Sequence, residues 1–236
     1  IGGTLAYFTD TDAKANVFTT GNVSIDLIEK FDEDALLMPG KDITKEVDIK
    51  NDGSEPAYVR AHIAIPAILD SGSEDNPEFA AYNNTLHWNF SGASTADGLW
   101  NWNSSKDGAN YPGNGGAWNM YKSTIDGVEY NVYVATYETA LEADATTSDH
   151  AITKVYLDTK VTNEDMTAIT TELGTIKVLV AVEGAQVEGF DNAYDALDTQ
   201  FGVPGSYTVN WSSFFNDTAT TEIYTPCALR GAGHTR

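Results

Sequence analysis

The chain has 236 residues, 42% of them hydrophobic, which is enough for one sizeable core in a single large β domain. Its 13 basic against 35 acidic side chains leave a formal charge of −22, so a polyanion such as nucleic acid is repelled. A lone cysteine, Cys227, offers no disulfide framework, and no run of about 18 apolar residues is present to cross a membrane as a helix.

At the start, Thr4-Leu5-Ala6 has the small-x-small character of a signal-peptidase site, so residues 1–6 are read as residual leader and Tyr7 as the beginning of the mature chain. Period-two alternation then places one face of each of several strands in a core. Val23, Ile25 and Leu27 make the first such face, and Ile43, Val47 and Ile49 the second, broken only by Lys45. Val59, Ala61, Ile63 and Ile65 follow, with His62 and Arg60 on the presumed outward side. Val128, Tyr130, Val132 and Val134 are the fourth; Val155, Leu157 and Val161 a weaker fifth; Ile176, Val178, Val180 and Val182 the sixth. Pro39-Gly40, Asn51-Asp52-Gly53 and Asp126-Gly127 supply turn chemistry between them.

Residues 71–121 read differently. They are rich in Asn, Gly and Ser and hold Trp88, Trp100, Trp102 and Trp118, four of the chain's 5 tryptophans. This length exceeds an ordinary connection, so the insert is expected to carry hairpins of its own. A helix is predicted over 163–173, where Met166, Ile169 and Leu173 align, and another after Asp191, which is placed to cap a turn leading to Tyr194, Leu197 and Phe201 before Gly202. From about 214 to 236 the composition shifts, and Asn216 to Thr225 reads as the in-frame translation of a sequencing-adapter oligonucleotide; no function is assigned to this tail. The fold class expected is all-β: a jelly-roll-like antiparallel sandwich over 22–213 with one or two short helices and the Trp-rich insert.

Reactive chemistry finds little support. Catalytic zinc needs about three protein ligands and an open position, and no His-Glu-x-x-His motif occurs. His62, His87, His150 and His234 are scattered, and no Gly-x-Ser-x-Gly elbow is present. Asp32-Glu33-Asp34 reads as a solvated charged loop, with calcium binding as its sharper alternative. No cofactor is expected and no residue is assigned a catalytic or metal role. Trp100, Trp102, Tyr111 and Trp118 are candidates for stacking on a sugar, or for contacting a neighbouring subunit or plugging the end of the sandwich.

Three blocks resemble the TasA/camelysin family, whose leaders are cut by a SipW-type signal peptidase. The first is Gly2 to Asp12 followed by Asn16 to Asn22; the second is Pro39-Gly40 with Val47 to Ser54; the third is Lys177 to Gly202, including Ala185 to Phe190, Ala196-Leu197 and Phe201-Gly202. What the resemblance implies is a secreted structural protein of the extracellular matrix or cell surface. Its N-terminal segment, residues 7–21, would leave its own subunit and add as a strand to the next, giving a head-to-tail biofilm fibre. The anchors of that donor strand would be Tyr7, Phe8, Val17 and Phe18, and its partner another copy, with matrix polysaccharide or an accessory anchor protein as further partners. A camelysin-like metallopeptidase and a carbohydrate-binding surface module are the alternatives; folding back of the segment onto its own domain is the alternative to donation.

Overall fold

In an extended chain alternate side chains point to opposite faces, and the alternating segments fold accordingly as strands. A computed structural model describes residues 23–31, 37–70, 85–89, 100–102, 120–174, 176–209, 211 and 221–223. The elements are β1 (Ile25–Phe31), β2 (Ile43–Asn51), β3 (Ala57–Pro66), β4 (Leu86–Asn89), β5 (Trp100–Asn101), β6 (Met120–Ile125), β7 (Val128–Leu141), β8 (Lys154–Leu157), α1 (Asn163–Leu173), β9 (Ile176–Gln186), α2 (Ala193–Phe201) and β10 (Thr221–Ile223). Four strands pair in the order β1-β2-β8-β4, and six make a second sheet in the order β10-β9-β3-β7-β5, with β6 also on β7. All strand pairs are antiparallel. The fold is therefore an antiparallel β-sandwich, as the alternation predicts; the pairing does not by itself establish a jelly-roll order. The Trp-rich insert supplies β4 to one sheet and β5 to the other.

The main core fills the space between the sheets. Ile43, Val47 and Ile49 of β2 and Val155 and Leu157 of β8 meet Val59, Ala61 and Ile63 of β3, Tyr133 and Ala135 of β7, and Ile176, Val178 and Val180 of β9. Lys45 does not interrupt this face but belongs to it: it is fully buried, and its Nζ lies 2.7 Å from Glu29 Oε1 on β1 and 5.8 Å from the Phe31 ring. Burial pushes the Lys45 ammonium below its ordinary pKa while Glu29 pulls the other way.

The six-stranded sheet is covered on both faces, and every residue of β3 is buried in consequence. Its outer face carries a second apolar cluster, in which Ala64, Val132, Val134, Leu179 and Ala181 pack under Val209 and Trp211. A third places Ala193, Ala196 and Leu197 of α2 on Tyr58 and Ala185. The face of Val132 and Val134, read from the sequence as a core face, thus points into this outer layer, while Tyr133 and Ala135 face the main core. An arm running from α2 through Tyr207 to Trp211 forms the cover, and it lies close: a Cβ at Gly205 would sit 3.1 Å from Tyr121 Cβ.

Local chemistry sets the element ends. Asp126 and Gly127 take φ of 49° and 81°, the left-handed conformations that a tight hairpin between β6 and β7 requires. Helix α1 starts with a reciprocal cap: the Thr162 side chain accepts from Asp165 N–H, and Asp165 Oδ2 accepts from Thr162 N–H. Helix α2 is capped by Asn192, not by Asp191, because it is the Asn192 Oδ1 that reaches Asp195 N–H at 3.0 Å. Val161 lies beyond β8, one residue ahead of the α1 cap, so the weak fifth strand is shorter than its apolar pattern suggests.

The two sheets approach most closely where β1 crosses β9. A Cβ added at Gly184 would lie 2.8 Å from Ile25 Cγ2, a clash with a β-branched side chain that has few alternative rotamers. Gly184→Ala is expected to lower stability by about 1–3 kcal/mol through overpacking. The midpoint of urea unfolding measures this, and an unchanged midpoint would mean that β1 moves aside freely.

Candidate functional site

On the outer face of β3, Arg60 and His62 point the same way, two residues apart, into the layer closed by the C-terminal arm. His62, expected outward, is fully buried, because the Tyr121 and Tyr207 rings pack edge-on against it. Arg60 Nε donates to Glu183 Oε2 on β9 at 2.5 Å and Nη1 to Asp198 Oδ1 on α2 at 2.7 Å. Its Nη2 donates to the Gly202 carbonyl and to the Tyr207 hydroxyl, each at 2.9 Å. The Tyr207 hydroxyl in turn donates to Glu183 Oε1 at 2.5 Å. His62 Nε2 donates to Glu183 Oε2 at 3.1 Å, and Nδ1 lies 3.1 Å from the Tyr121 hydroxyl on β6. The guanidinium also stands 5.9 Å from the centroids of the Phe201 and Tyr207 rings.

This constellation has the electrostatics of a saturated ion cluster. Burial works to raise the Glu183 carboxyl, but His62, Arg60 and the Tyr207 hydroxyl outweigh it and hold the group down to about 2. Burial pushes Tyr207 and Tyr121 well above the ordinary phenol range, so both stay protonated. Asp198 is raised, chiefly by burial, against the pull of Arg60. Both Glu183 oxygens and both His62 ring nitrogens are engaged within the layer. Chemically the arrangement joins β3, β6, β9, α2 and the arm through charge-assisted hydrogen bonds.

The other histidines lie apart from it. His87 Nε2 meets Asp158 Oδ2 at 2.9 Å with its ring against Tyr156, and His150 Nδ1 meets Asp48 Oδ2 at 2.7 Å on the outer face of β2. Among the described residues, no group of three or more His, Cys, Asp or Glu side chains is arranged to hold a metal ion. No described helix is long and apolar enough to cross a membrane.

Trp100 and Trp102 are each 1% exposed, so in this subunit they fill the core instead of presenting rings to solvent. Trp100 packs edge-on against Tyr137 with centroids 5.1 Å apart, and its Nε1 donates to the Asp149 carbonyl at 2.7 Å. Tyr7, Phe8, Val17, Phe18, Tyr111, Trp118, His234 and the Asp32-Glu33-Asp34 run lie outside the described residues. Reading the sequence alone misses the cluster of Arg60, Glu183, Asp198 and Tyr207. Its available signal is the polar residues on the alternate faces of two largely apolar strands, Arg60 and His62 in Ala57–Pro66 and Lys177 and Glu183 in Ile176–Gln186.

Residues 1–65 match the model of a family described as camelysin metallo-endopeptidase. Over these residues the chain is camelysin-like. The camelysin-like segment takes in the first two of the three blocks that carry the resemblance, and with them β1, β2 and all of β3 but its last residue. It includes Arg60 and His62, whereas Glu183, Asp198 and Tyr207 lie beyond it. No curated protein matches the chain.

Proposed function

We propose that this chain is a secreted structural subunit that polymerises head-to-tail into extracellular matrix fibres, each copy donating Tyr7 to Phe18 as a strand to the next. The camelysin-like match supports this reading because it covers that segment. The observation that carries it is an incompletely covered core. In β2 and β3 the apolar residues facing the main core are at most 2% exposed. On β1, Ile25, Leu27 and Phe31 are only half-buried against the same core, as are Met166 and Leu173 of α1 and Val182 of β9. Apolar surface left half-wet on β1 and at Val182 of the neighbouring β9 is what an added strand would remove from water, at about 25 cal/mol per Å². Strand addition also satisfies the backbone groups of an open edge.

Such a contact joins two different surfaces and does not close on itself, so it grows a filament. A peptidase reading is supported by the family's description alone, since the described histidines stand apart. The test is negative-stain electron microscopy of protein from Tyr7 to Ser213, purified as monomer and concentrated at an ionic strength of about 0.15 M, where screening shortens the reach of the acidic charge to about 8 Å. Regular fibres are expected from the unaltered sequence, and none from Phe8→Asp or Phe18→Asp, each of which places a charge at an apolar anchor while leaving the monomer folded. Normal polymerisation of both variants would sink strand donation.

A further inference from the structure

We infer that α2 and the arm through Tyr207 to Trp211 act as a strap, opening from the six-stranded sheet as one unit while the sandwich beneath stays folded. This does not depend on fibre formation. Among the described residues, none of 192–211 belongs to the main core between the sheets. Ala193, Ala196, Leu197, Val209 and Trp211 pack instead on the outer face, in the two smaller clusters. Lifting them wets one face of β3, β7 and β9. The other face, with Ala61, Ile63, Tyr133, Ala135, Val178 and Val180, stays sealed against β2 and β8.

Closure of the strap is also the weaker of the two associations. Two of the four buried residues of α2 are alanines, Phe201 and Tyr207 are half-buried, and Val203 is exposed. Against this modest apolar gain, closure takes Arg60, His62 and Glu183 out of water, because all three stand on sheet strands and point into the layer under the strap. The desolvation cost of a buried ion pair largely cancels its attraction, so these charges make closure specific more than strong. What latches the strap is directional: Arg60 donates to Asp198, the Gly202 carbonyl and the Tyr207 hydroxyl, and Tyr207 donates to Glu183. All four bonds break when the strap lifts, whereas Arg60 Nε stays on Glu183 within the sheet. A segment with few buried apolar contacts opens below the free energy of global unfolding. The opened face presents Arg60 and His62 on β3, with Val134 of β7 and Ala181 of β9 on either side of His62.

Native-state hydrogen exchange of the full chain in rising, sub-denaturing urea tests the strap. The amides of Ala196, Gly202 and Ser206 donate to the Asn192, Asp198 and Val203 carbonyls. They are expected to converge on one shallow urea slope, because opening the strap exposes little surface, while the amides of β3 follow the steep slope of global unfolding. Ile49→Val, a truncation in the main core, is expected to speed β3 exchange about tenfold and to leave the three strap amides unchanged. Tyr207→Phe destabilises the closed state itself, so it is expected to speed both sets by the same factor, about tenfold. A single slope shared by strap and β3, or strap amides that accelerate with β3 in Ile49→Val, would mean that strap and sandwich unfold together and would overturn the inference. Strap amides that each exchange independently of urea would show local fraying in place of a unit and would overturn it as well. Strap exchange unchanged by Tyr207→Phe would remove the latch.

Discussion

Arg60→Met is expected to lower the unfolding free energy by about 3–5 kcal/mol, the largest loss from any single substitution in the outer layer. The side chain is 1% exposed and donates to Glu183, Asp198, the Gly202 carbonyl and Tyr207. Methionine conserves most of the volume, so the loss comes from what remains: Glu183 stays buried without the Arg60 guanidinium, and the Gly202 carbonyl loses a donor. A domain of this kind has about 5–15 kcal/mol in all, so the variant should unfold at a much lower urea concentration with an unchanged slope. Arg60→Met combined with Glu183→Leu should be less unstable than Arg60→Met alone, since the buried carboxylate goes with its cation and only the partly exposed Asp198 is left without Arg60. A single-variant loss under about 1 kcal/mol, against the principle that a broken buried pair is costly, would mean that the layer opens to water and the cluster does not hold the arm.

Acidification should weaken the same layer. The folded chain holds the Glu183 carboxyl at about 2, whereas in the unfolded chain it returns to the ordinary value of about 4.3. With the folded value depressed, the native state binds fewer protons than the unfolded one in this window. The resulting stability is fully present above about pH 4.3 and is lost as pH falls toward 2, in an amount of about 3 kcal/mol. Asp198, raised mainly by burial, acts with the opposite sign and makes the observed curve shallower than Glu183 alone would. Urea midpoints between pH 6 and pH 2 give the slope, and Glu183→Gln isolates the residue: its curve should start lower at neutral pH and fall less on acidification. Parallel curves for the two proteins would exclude Glu183 as the titrating group.

Much of the fold was legible because alternation and capping are local. The strands around Ile43, Val59, Val128 and Ile176 and the helix over 163–173 stand where the pattern puts them, and the Asp126-Gly127 turn has the backbone its residues allow. The errors share one origin. Alternation distinguishes the two faces of a strand but not whether both are covered. Lys45 therefore read as an interruption though it lies in the core beside Glu29, and His62 read as exposed though it has no exposed surface. Trp100 and Trp102 read either as platforms for a sugar or as a plug for the sandwich or a subunit contact, because their Asn- and Gly-rich neighbours look like surface, and within the subunit they lie in the core.

The sequence by itself determined the β class, the strand faces, both helices and, through its N-terminal blocks, the camelysin-like segment. Only the tertiary structure decided that the outer face of the six-stranded sheet is an interior and that an ion cluster lies in it. These depend on contacts between distant parts of the chain: Arg60 and Glu183 are 123 residues apart and His62 and Glu183 121. A pattern with a period of two residues holds no information at that range, because what covers a face is set by where a remote segment comes to rest.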